Sequence, residues 1–349
     1  MNPIHKICAL AALALASSAD AAVFCVTTPA EFASALATAA SNGQSDIIKV
    51  HQGNYLLTQP LSYSSATTEN HDLNISGGWL SIPTACAVQF ADASVTVLDG
   101  QNQVGGLYLS MNVTSPGTYT VSNLTITRTV PSTPTFSAGL FGNFVNATSA
   151  GTFDVFNLII RNNSSVLANE VGIGTLGRVN VRVRNTLVAE NQSPGFVGIY
   201  TNSVGAGSVY LQHLTIANNQ STGTAYAGVK VGGDALLTME NSILWGNTSA
   251  NPQGNCPLEV SNVDRLRFVI ATTVCGQQAG ANIGVNSFNP QFKDADFRLG
   301  LNSPGLNVGM NPPTFPLIPK DLDNHDRVVG SKPDLGAYES IDTFRNGFE

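Results

Sequence analysis

The sequence has few charged residues and almost no long apolar segments. Asp, Glu, Lys and Arg make up 11% of its 349 residues, where about a quarter is usual in globular proteins. The net charge is −7, and no basic stripe is present that could neutralise phosphates, so nucleic acid is not an expected partner. No segment after the N-terminal region is apolar over the roughly 20 residues that a membrane-spanning helix needs.

The N-terminal region has the pattern of a secretory signal peptide. His5 and Lys6 precede an unbroken apolar run over residues 7–16, and an Ala-Asp-Ala cleavage site ends at Ala21. This order of charged, apolar and small residues is typical of a segment that is removed on export. We therefore expect residues 1–21 to be cleaved, leaving a secreted protein that is extracellular or bound at the cell surface.

Four cysteines follow the predicted cleavage site, namely Cys25, Cys86, Cys256 and Cys275. An even number of cysteines in an exported chain predicts disulfides. Three pairings are possible, and sequence proximity favours Cys25–Cys86 and Cys256–Cys275. No C-x-x-C pair or neighbouring histidine supports a metal site, so none is expected.

Long helical patterns are scarce, and residues 28–43 carry the clear one. Thr28 and Glu31 form a capping box, Pro29 suits the first turn, and Gly43 would end the helix. Its apolar face would consist of Phe32, Leu36 and Ala39. Such a helix can cover the open end of a stack of strands, which otherwise exposes unpaired backbone groups.

Five segments in the centre of the chain repeat. They are VSNLTI (121–126), VFNLII (155–160), VRNTLV (183–188), LQHLTI (211–216) and MENSIL (239–244). Their central polar residues are Asn123, Asn157, Asn185, His213 and Asn241, spaced by 34, 28, 28 and 28 residues. A fixed period of this size indicates a solenoid.

The pattern inside each repeat predicts two strands that meet at a bend. Apolar and polar residues alternate on each side of the central residue, and the phase of the alternation changes there. Asparagine tolerates the left-handed conformation that such a bend requires. A second set of asparagines, which can link successive coils through amide hydrogen bonds, consists of Asn163, Asn191, Asn219 and Asn247.

A third strand in each coil follows from the segments SAGLF (137–141), EVGIG (170–174), FVGIY (196–200) and YAGVK (226–230). Coils of this kind stack with parallel pairing, and their crossovers are right-handed. The sequence therefore predicts an all-β fold, a single-stranded right-handed parallel β-helix with three strands per coil. It would span residues 22–285, with the capping helix at one end and a C-terminal cap and tail over residues 286–349.

Several segments resemble a known family, the bacterial choice-of-anchor Q proteins. The resemblance rests on NPQFKDADFRLGLNSPGLNVG (289–309), DLDNHDR (321–327), PDLGAYE (333–339) and ENSILWGNTS (240–249), and it extends over roughly residues 47–339. Those proteins are right-handed parallel β-helices, similar to pectin-lyase-like and polymorphic outer membrane protein repeats. The resemblance implies an exported or surface-attached protein whose activity is largely undefined.

The most polar outward positions lie on the strand before the bend, where we predict a ligand-binding stripe formed by Asp154, Arg182, Arg184, Tyr210 and Glu240. Arginines recognise oxyanions in a bidentate manner, so this stripe could grip a uronate or sulfated sugar. The simpler interpretation is a solvated face with surface ion pairs that contribute little.

Two other features could in principle carry chemistry. DLDNHD (321–326) lacks the glycine and the final glutamate of an EF-hand, so we expect a polar turn in which one aspartate pairs with Arg327. Trp245 falls at an outward position, where it could stack on a sugar ring, although a place under a loop is favoured.

Two functions remain open from the sequence. The first is an exported β-helix that presents an extended surface to a polysaccharide, a cell-envelope component or a protein, as a monomer without cofactor and with no assignable catalytic residue. The alternative is a polysaccharide lyase or glycoside hydrolase that acts on an acidic polysaccharide, and a lyase could use Ca²⁺. Carboxylates are sparse between residues 110 and 250, which favours binding.

Overall fold

The computed structural model describes residues 21–133, 137–167, 170–205, 207–250, 257–273, 275–276 and 283–341. Residues 1–20 of the predicted signal peptide, the tail beyond residue 341, and Cys256 of the second predicted disulfide therefore lie outside the described residues. Within them, no helix has the length and apolar character needed to cross a bilayer.

The regular secondary structure of the described residues consists almost entirely of strands. In chain order they are β1 Ala22–Val26, β2 Asp46–His51, β3 Gly53–Leu56, β4 Leu61–Ser64, β5 Leu73–Leu80, β6 Val88–Gln89, β7 Thr96–Asp99, β8 Leu107–Ser110, β9 Thr118–Thr127, β10 Ala138–Phe144, β11 Gly151–Arg161, β12 Val171–Gly177, β13 Val179–Ala189, β14 Gln192–Ser193, β15 Val197–Ser203, β16 Ser208–Ala217, β17 Gln220–Ser221, β18 Ala227–Gly233, β19 Leu236–Trp245, β20 Thr248–Ser249, β21 Leu258–Val260, β22 Val263–Ala271, β23 Cys275–Gly276 and β24 Ile283–Asn286. One α-helix, α1 (Pro29–Ala39), and one 3₁₀ turn, Ala93–Val95, complete the set.

Parallel pairing stacks these strands into three sheets, and the fold is a parallel β-helix, as predicted. Sheet A has the order β1-β2-β5-β9-β11-β13-β16-β19-β22-β24, sheet B the order β23-β21-β18-β15-β12-β10-β8-β4, and the short sheet C the order β14-β17-β20. The coils pass from sheet A to sheet B and back, and the three coils that contain β14, β17 and β20 pass through sheet C on the way. The core is the space between the sheets, where inward side chains such as Val155, Val183 and Leu211 are fully buried.

The predicted bends lie inside the long strands of sheet A. The φ angles of Asn123, Asn157, Asn185, His213 and Asn241 fall between 48° and 56°. Each strand therefore continues through one left-handed residue, and inward side chains are presented on both sides of it. The amide of Asn157 donates to Asn123 at 3.0 Å, and the amide of Asn185 donates to Asn157 at 2.6 Å.

The second predicted asparagine column is also confirmed. The side-chain oxygen of Asn191 accepts from both the backbone and the side-chain nitrogen of Asn163 at 3.0 Å, and Asn219 accepts in the same way from Asn191. The side-chain nitrogen of Asn191 also donates to the carbonyl of Ile160 at 3.0 Å. Each amide thus satisfies buried backbone groups at a turn, where an unpaired group would cost about 1–3 kcal/mol.

A glycine column explains the shared glycine of the third-strand segments. Gly139, Gly172, Gly198 and Gly228 are in register in sheet B and have positive φ angles. A Cβ atom on Gly172 would lie 2.1 Å from the carbonyl oxygen of Gly198. The close approach of successive coils therefore excludes any side chain at this position.

Helix α1 covers the N-terminal end of the core with Phe32, Leu36 and Ala39, as predicted. It ends at Ala39, four residues before the expected stop at Gly43, and Ala40 is its C-cap. The Thr28 hydroxyl accepts from the Glu31 N–H at 3.2 Å, whereas the Glu31 carboxylate accepts from Thr27. Beneath the helix, burial raises the pKa of Asp46 to about 6.

Residues 289–341 form an irregular segment, here called the C-terminal arm. It was predicted as a closing cap, but it runs along the outer face of sheet A over several coils. The Gly336 N–H donates to the Asn241 carbonyl and the Ala337 N–H donates to Thr215 Oγ1, both at 2.9 Å. Apolar arm residues such as Leu322 pack on outward side chains beyond the bend, among them Leu187.

Arg327 fixes the arm to the column of bends. Its guanidinium is 2% exposed and donates to the Asn185 side-chain oxygen, to the Gly336 and Ala337 carbonyls, and toward His213 Nδ1 at 3.3 Å. Burial, together with this neighbouring guanidinium, holds the pKa of His213 well below its usual value, so the imidazole is neutral. Arg327 thus supplies the donor that an asparagine at position 213 would supply in a regular ladder.

Asn191→Ala should destabilise the protein by about 1–3 kcal/mol, because the buried N–H of Asn163 and the carbonyl of Ile160 in the preceding coil lose their side-chain partner. Urea unfolding monitored by circular dichroism measures this loss. Gln192→Ala is the matched control, since the neighbouring Gln192 side chain bonds to Gln220 at an exposed position and should change stability by about 0.5 kcal/mol or less. Equal effects of the two substitutions would contradict the role of the buried column.

The raised pKa of Asp46 makes stability depend on pH. A carboxyl whose folded pKa lies above its unfolded value near 4 contributes stability below about pH 4 and loses it as pH rises through about 6. We expect Asp46→Asn to remove this part of the decline in the free energy of unfolding between pH 4 and 7. An unchanged pH profile in the variant would show that Asp46 does not titrate in this range.

Candidate functional site

The outer face of sheet A carries two columns of side chains on the strand half before the bend. The strand register aligns them across the coils. The first column is Ile47, Asn74, Thr120, Asp154, Arg182, Tyr210, Thr238 and Arg265, and the second is Lys49, Ser76, Ser122, Phe156, Arg184, Gln212, Glu240 and Arg267. Successive members lie one rung apart, about 4.8 Å. This face is a continuous surface that a chain-like ligand could follow.

The predicted stripe lies in these two columns, and the structure brings its members together in pairs. The Arg184 guanidinium donates to both oxygens of Asp154 at 2.9 Å. The Tyr210 hydroxyl donates to the Glu240 carboxylate at 3.1 Å. Arg182 lies one rung from Asp154, as the repeat predicted.

The expectation that this stripe faces solvent is wrong, because the C-terminal arm covers it. Thr314 donates through its N–H and its hydroxyl to Glu240 at 2.9 and 2.6 Å, and the Phe315 N–H donates to the Tyr210 hydroxyl at 3.0 Å. The Phe315 ring lies 4.8 Å from the Tyr210 ring and 4.7 Å from the Arg182 guanidinium. Glu240 is fully buried, and burial together with Glu240 raises the pKa of Tyr210.

The arm leaves the N-terminal rungs of the same face open, and a groove of about 560 Å³ lies there. We call it the N-terminal groove. Its lining consists of Ile47, Lys49, Asn74, Ser76, Trp79, Gln89, Ala91, Ser122, Asn123, Phe156, Asn157, Ile318, Pro319 and Lys320. Most of these residues come from coils before the repeat becomes regular, so counting the repeat did not reveal the groove. The available signal in the sequence is Trp79, which directly follows Gly77 and Gly78.

The floor and one side of the groove combine aromatic and polar groups. The Trp79 indole N–H donates to Ser76 Oγ at 2.9 Å, and Lys49 Nζ lies 4.0 Å from the centre of the indole ring. Lys49 also donates to the Cys86 carbonyl at 3.2 Å. These contacts hold the Trp79 ring and the Lys49 ammonium in fixed positions. Phe156 provides a second aromatic ring, three rungs beyond Lys49 in the second column.

A disulfide-bonded loop forms a wall of the groove. Strand β6 pairs antiparallel with β5, and the predicted Cys25–Cys86 disulfide joins this loop to β1. A Cβ atom on Gly78 would lie 1.9 Å from the Phe90 carbonyl oxygen, so the loop packs closely on the strand only because position 78 is glycine. The loop therefore stays fixed against the sheet beside Trp79.

The described lining of the groove consists of aromatic and apolar side chains, amides, hydroxyls and two lysines. Its ionisable side chains are Lys49 and Lys320, and its other polar groups are amides and hydroxyls. Hydrolysis of a glycosidic bond uses a pair of carboxylates that flank the bond. Aromatic walls with a few fixed polar groups are typical of a ligand-binding site.

The polar turn at 321–326 lies in the arm. Ligand atoms of Asp321, Asp323 and His325 lie within 4.8 Å of one another. Asp321 accepts backbone N–H groups of Asp323, His325 and Glu339, and Asp323 pairs with Arg298 at 2.6 Å. These carboxylates bind groups of the arm, which matches the expected polar turn.

The partner expected for Arg327 was wrong, since its nearest carboxylate among the described ion pairs is Glu339 at 3.9 Å. Trp245 is half-buried beside the apolar cluster of Ile243, Ile270, Leu299 and Leu335, as favoured from the sequence.

Comparison with known proteins finds one solved structure with a similar course of the chain. It is the pectate lyase Pel9A, with 16% sequence identity over 84% of this chain and 88% of that protein, and a TM-score of 0.36. No family model matches the chain, so membership of the choice-of-anchor Q family stays a prediction. No curated protein matches either.

Removing the Cys25–Cys86 disulfide with Cys25→Ala and Cys86→Ala should destabilise the protein by about 2–4 kcal/mol. The effect should concentrate in the groove wall, so amide hydrogens of residues 80–91 should exchange faster while those of sheet B keep their protection. Hydrogen exchange read by mass spectrometry measures both regions. Unchanged protection of the loop would show that the disulfide does not hold the wall.

Proposed function

We propose that this chain is an exported β-helix protein that binds a glycan chain in the N-terminal groove. One observation carries the proposal: a tryptophan held in a fixed position, a second aromatic ring and the exposed amides of Asn74 and Gln89 line one groove on the outer sheet face. The faces of sugar rings are apolar, and their hydroxyls need hydrogen-bonding partners, so this combination of side chains suits them. Export and a place outside the cell are part of the proposal, supported by the N-terminal sequence pattern and by the disulfide.

The geometry of the aromatic groups supports this assignment. Trp79 lies at one side of the groove, with Lys49 on its ring, and Phe156 lies at the far end of the same floor. Asn74 and Gln89 offer amide groups at exposed positions between them and along the wall. A sugar bound along the floor could contact an aromatic face and an amide in the same rung.

The enzymatic alternative finds less support in the arrangement of the charged groups. A lyase or hydrolase that used the predicted stripe would need access to Asp154, Arg184 and Glu240. The arm covers Arg184 with the Phe315 ring and Glu240 with Thr314, and the Asp154 carboxylate accepts from Arg184 through both of its oxygens. Binding in the groove needs no such access, because the groove lies over the N-terminal rungs of the face and ends at Phe156 and Asn157.

Trp79→Ala should weaken glycan binding at least tenfold, a loss of about 1.4 kcal/mol, because it removes the aromatic face and the support of Lys49. A glycan array of neutral, uronate-containing and sulfated oligosaccharides identifies the ligand, and calorimetry then measures the affinity of each variant. Trp245→Ala is the matched control, since Trp245 lies far along the helix against an apolar cluster. It should keep the affinity of the native protein.

Two results would contradict the proposal. The first is failure of the native protein to bind any glycan on the array. The other is release of unsaturated product from a uronate polysaccharide, detected by ultraviolet absorbance with and without added Ca²⁺, with loss of that activity in Arg182→Ala. The second result would restore the lyase alternative and place its site in the covered stripe.

A further inference from the structure

We infer that the N-terminal groove is closed at one end by the C-terminal arm and therefore takes the end of a glycan chain, or a short free oligosaccharide, and not the interior of a long chain. The inference rests on the proposed function and specifies its ligand. It assigns to Ile318, Pro319 and Lys320 the role of a stop that determines specificity.

The floor of the groove does not end by itself. The two outward columns continue in register from Asp154 and Phe156 to Arg182 and Arg184, without a bulge in the pairing of β11 with β13. A ligand that followed the sheet could pass from one rung to the next along this face. The interruption comes from another part of the chain, which lies on top of the columns.

The stop is held in place by contacts on both of its sides. Ile318, Pro319 and Lys320 line the groove, and the Lys320 carbonyl accepts from the Asn185 side chain at 2.9 Å. Directly behind them, the Phe315 carbonyl accepts from Gln212 at 3.1 Å, and the Phe315 ring covers Arg182 and Arg184.

The anchors of the arm are buried, which makes the stop a fixed part of the wall. Thr314 binds the fully buried Glu240 through two hydrogen bonds, and the buried Arg327 joins the arm to Asn185 on the other side of the stop. Charge-assisted hydrogen bonds in such buried positions are strong. A ligand would have to break several of them to pass beneath the arm.

The opposite end of the groove is open within the described part of the chain. The opening lies along the first column, where Val23 stands one rung before Ile47 and is 57% exposed, whereas in the second column the Cys25–Cys86 disulfide stands one rung before Lys49. From Lys49 to Phe156 the floor spans three rung intervals, roughly 15 Å. A site of this length with one open and one closed end admits a chain terminus and leaves the rest of the chain in solvent.

Binding of oligosaccharides of increasing length tests this inference. The probes are three series from disaccharide to octasaccharide, made of β-1,4-linked glucose, β-1,4-linked xylose and α-1,4-linked galacturonic acid, together with their polymers. For the series that binds, the association constant per mole of chain should rise until the groove is filled and then stay constant. A site for chain interiors would instead gain affinity with every added residue, since a longer chain offers more positions to bind, and that result would overturn the inference.

A variant with a loosened stop gives a second, independent result. Thr314→Val with Phe315→Ala removes the hydroxyl contact to Glu240 and the ring on the arginines while keeping Arg327. Long oligosaccharides should then bind at least tenfold more tightly than to the native protein, and short ones should keep their affinity. If the amide hydrogens of residues 310–320 exchange faster in this variant and long oligosaccharides bind with unchanged affinity, the arm is not the stop.

The outcomes separate this inference from the proposed function. Failure of every series to bind the native protein overturns both. Binding with an affinity that keeps rising with length overturns the chain-end inference alone. Partial hydrolysis of the polymer distinguishes the two sources of ligand. If the amount of protein bound to the polymer rises in proportion to the number of chain ends, the ligand is a polymer terminus. If the protein binds oligosaccharides but does not bind the polymer, the ligand is a free oligosaccharide.

Discussion

The fold depends on one left-handed residue in each strand of sheet A and on the amide hydrogen bonds that its side chain makes to the next coil. At Asn157 and Asn185 the bend changes which residues face inward, so both halves of the strand contribute to the core. The same bend fixes the outward positions in two straight columns. These columns form the floor of the groove and the surface beneath the arm.

The C-terminal arm is attached to the column of bends, through hydrogen bonds to the side chains of Asn185 and His213. Where the regular pattern would place an asparagine, the chain has His213, and Arg327 from the arm donates to Asn185 in its place. The irregular residue in the repeat therefore marks the point where a distant segment joins the ladder. Because Arg327 and Glu240 are both buried, the arm becomes a structural layer and divides the outer face into a covered half and an open half.

The repeat could be predicted from the sequence, because its features recur along the chain. The bends at Asn157, Asn185 and His213 and the second asparagine column follow from the interval of 28 residues, and the third strand follows from a shared sequence pattern around one glycine. The register of Asp154 with Arg182 and Tyr210 was likewise correct. A feature that occurs in several coils can be recognised by comparing the coils with one another.

The cover over the stripe and the groove itself could not be predicted in the same way. The contacts of Thr314 with Glu240 and of Arg327 with Asn185 join the repeat to a segment that has no repeat, across 74 and 142 positions of the chain. The groove wall comes from a loop whose position depends on the Cys25–Cys86 disulfide and on the close approach at Gly78. Such contacts have no local pattern.

Hydroxyl-radical footprinting of the native protein tests most directly whether one half of the outer face is open and the other half is covered. Mass spectrometry then measures the oxidation of each residue. Trp79 should be oxidised rapidly, and bound glycan should suppress this oxidation. Tyr210 should be protected with or without glycan. Oxidation of Tyr210 as fast as that of Trp79 would contradict a covered half of the face.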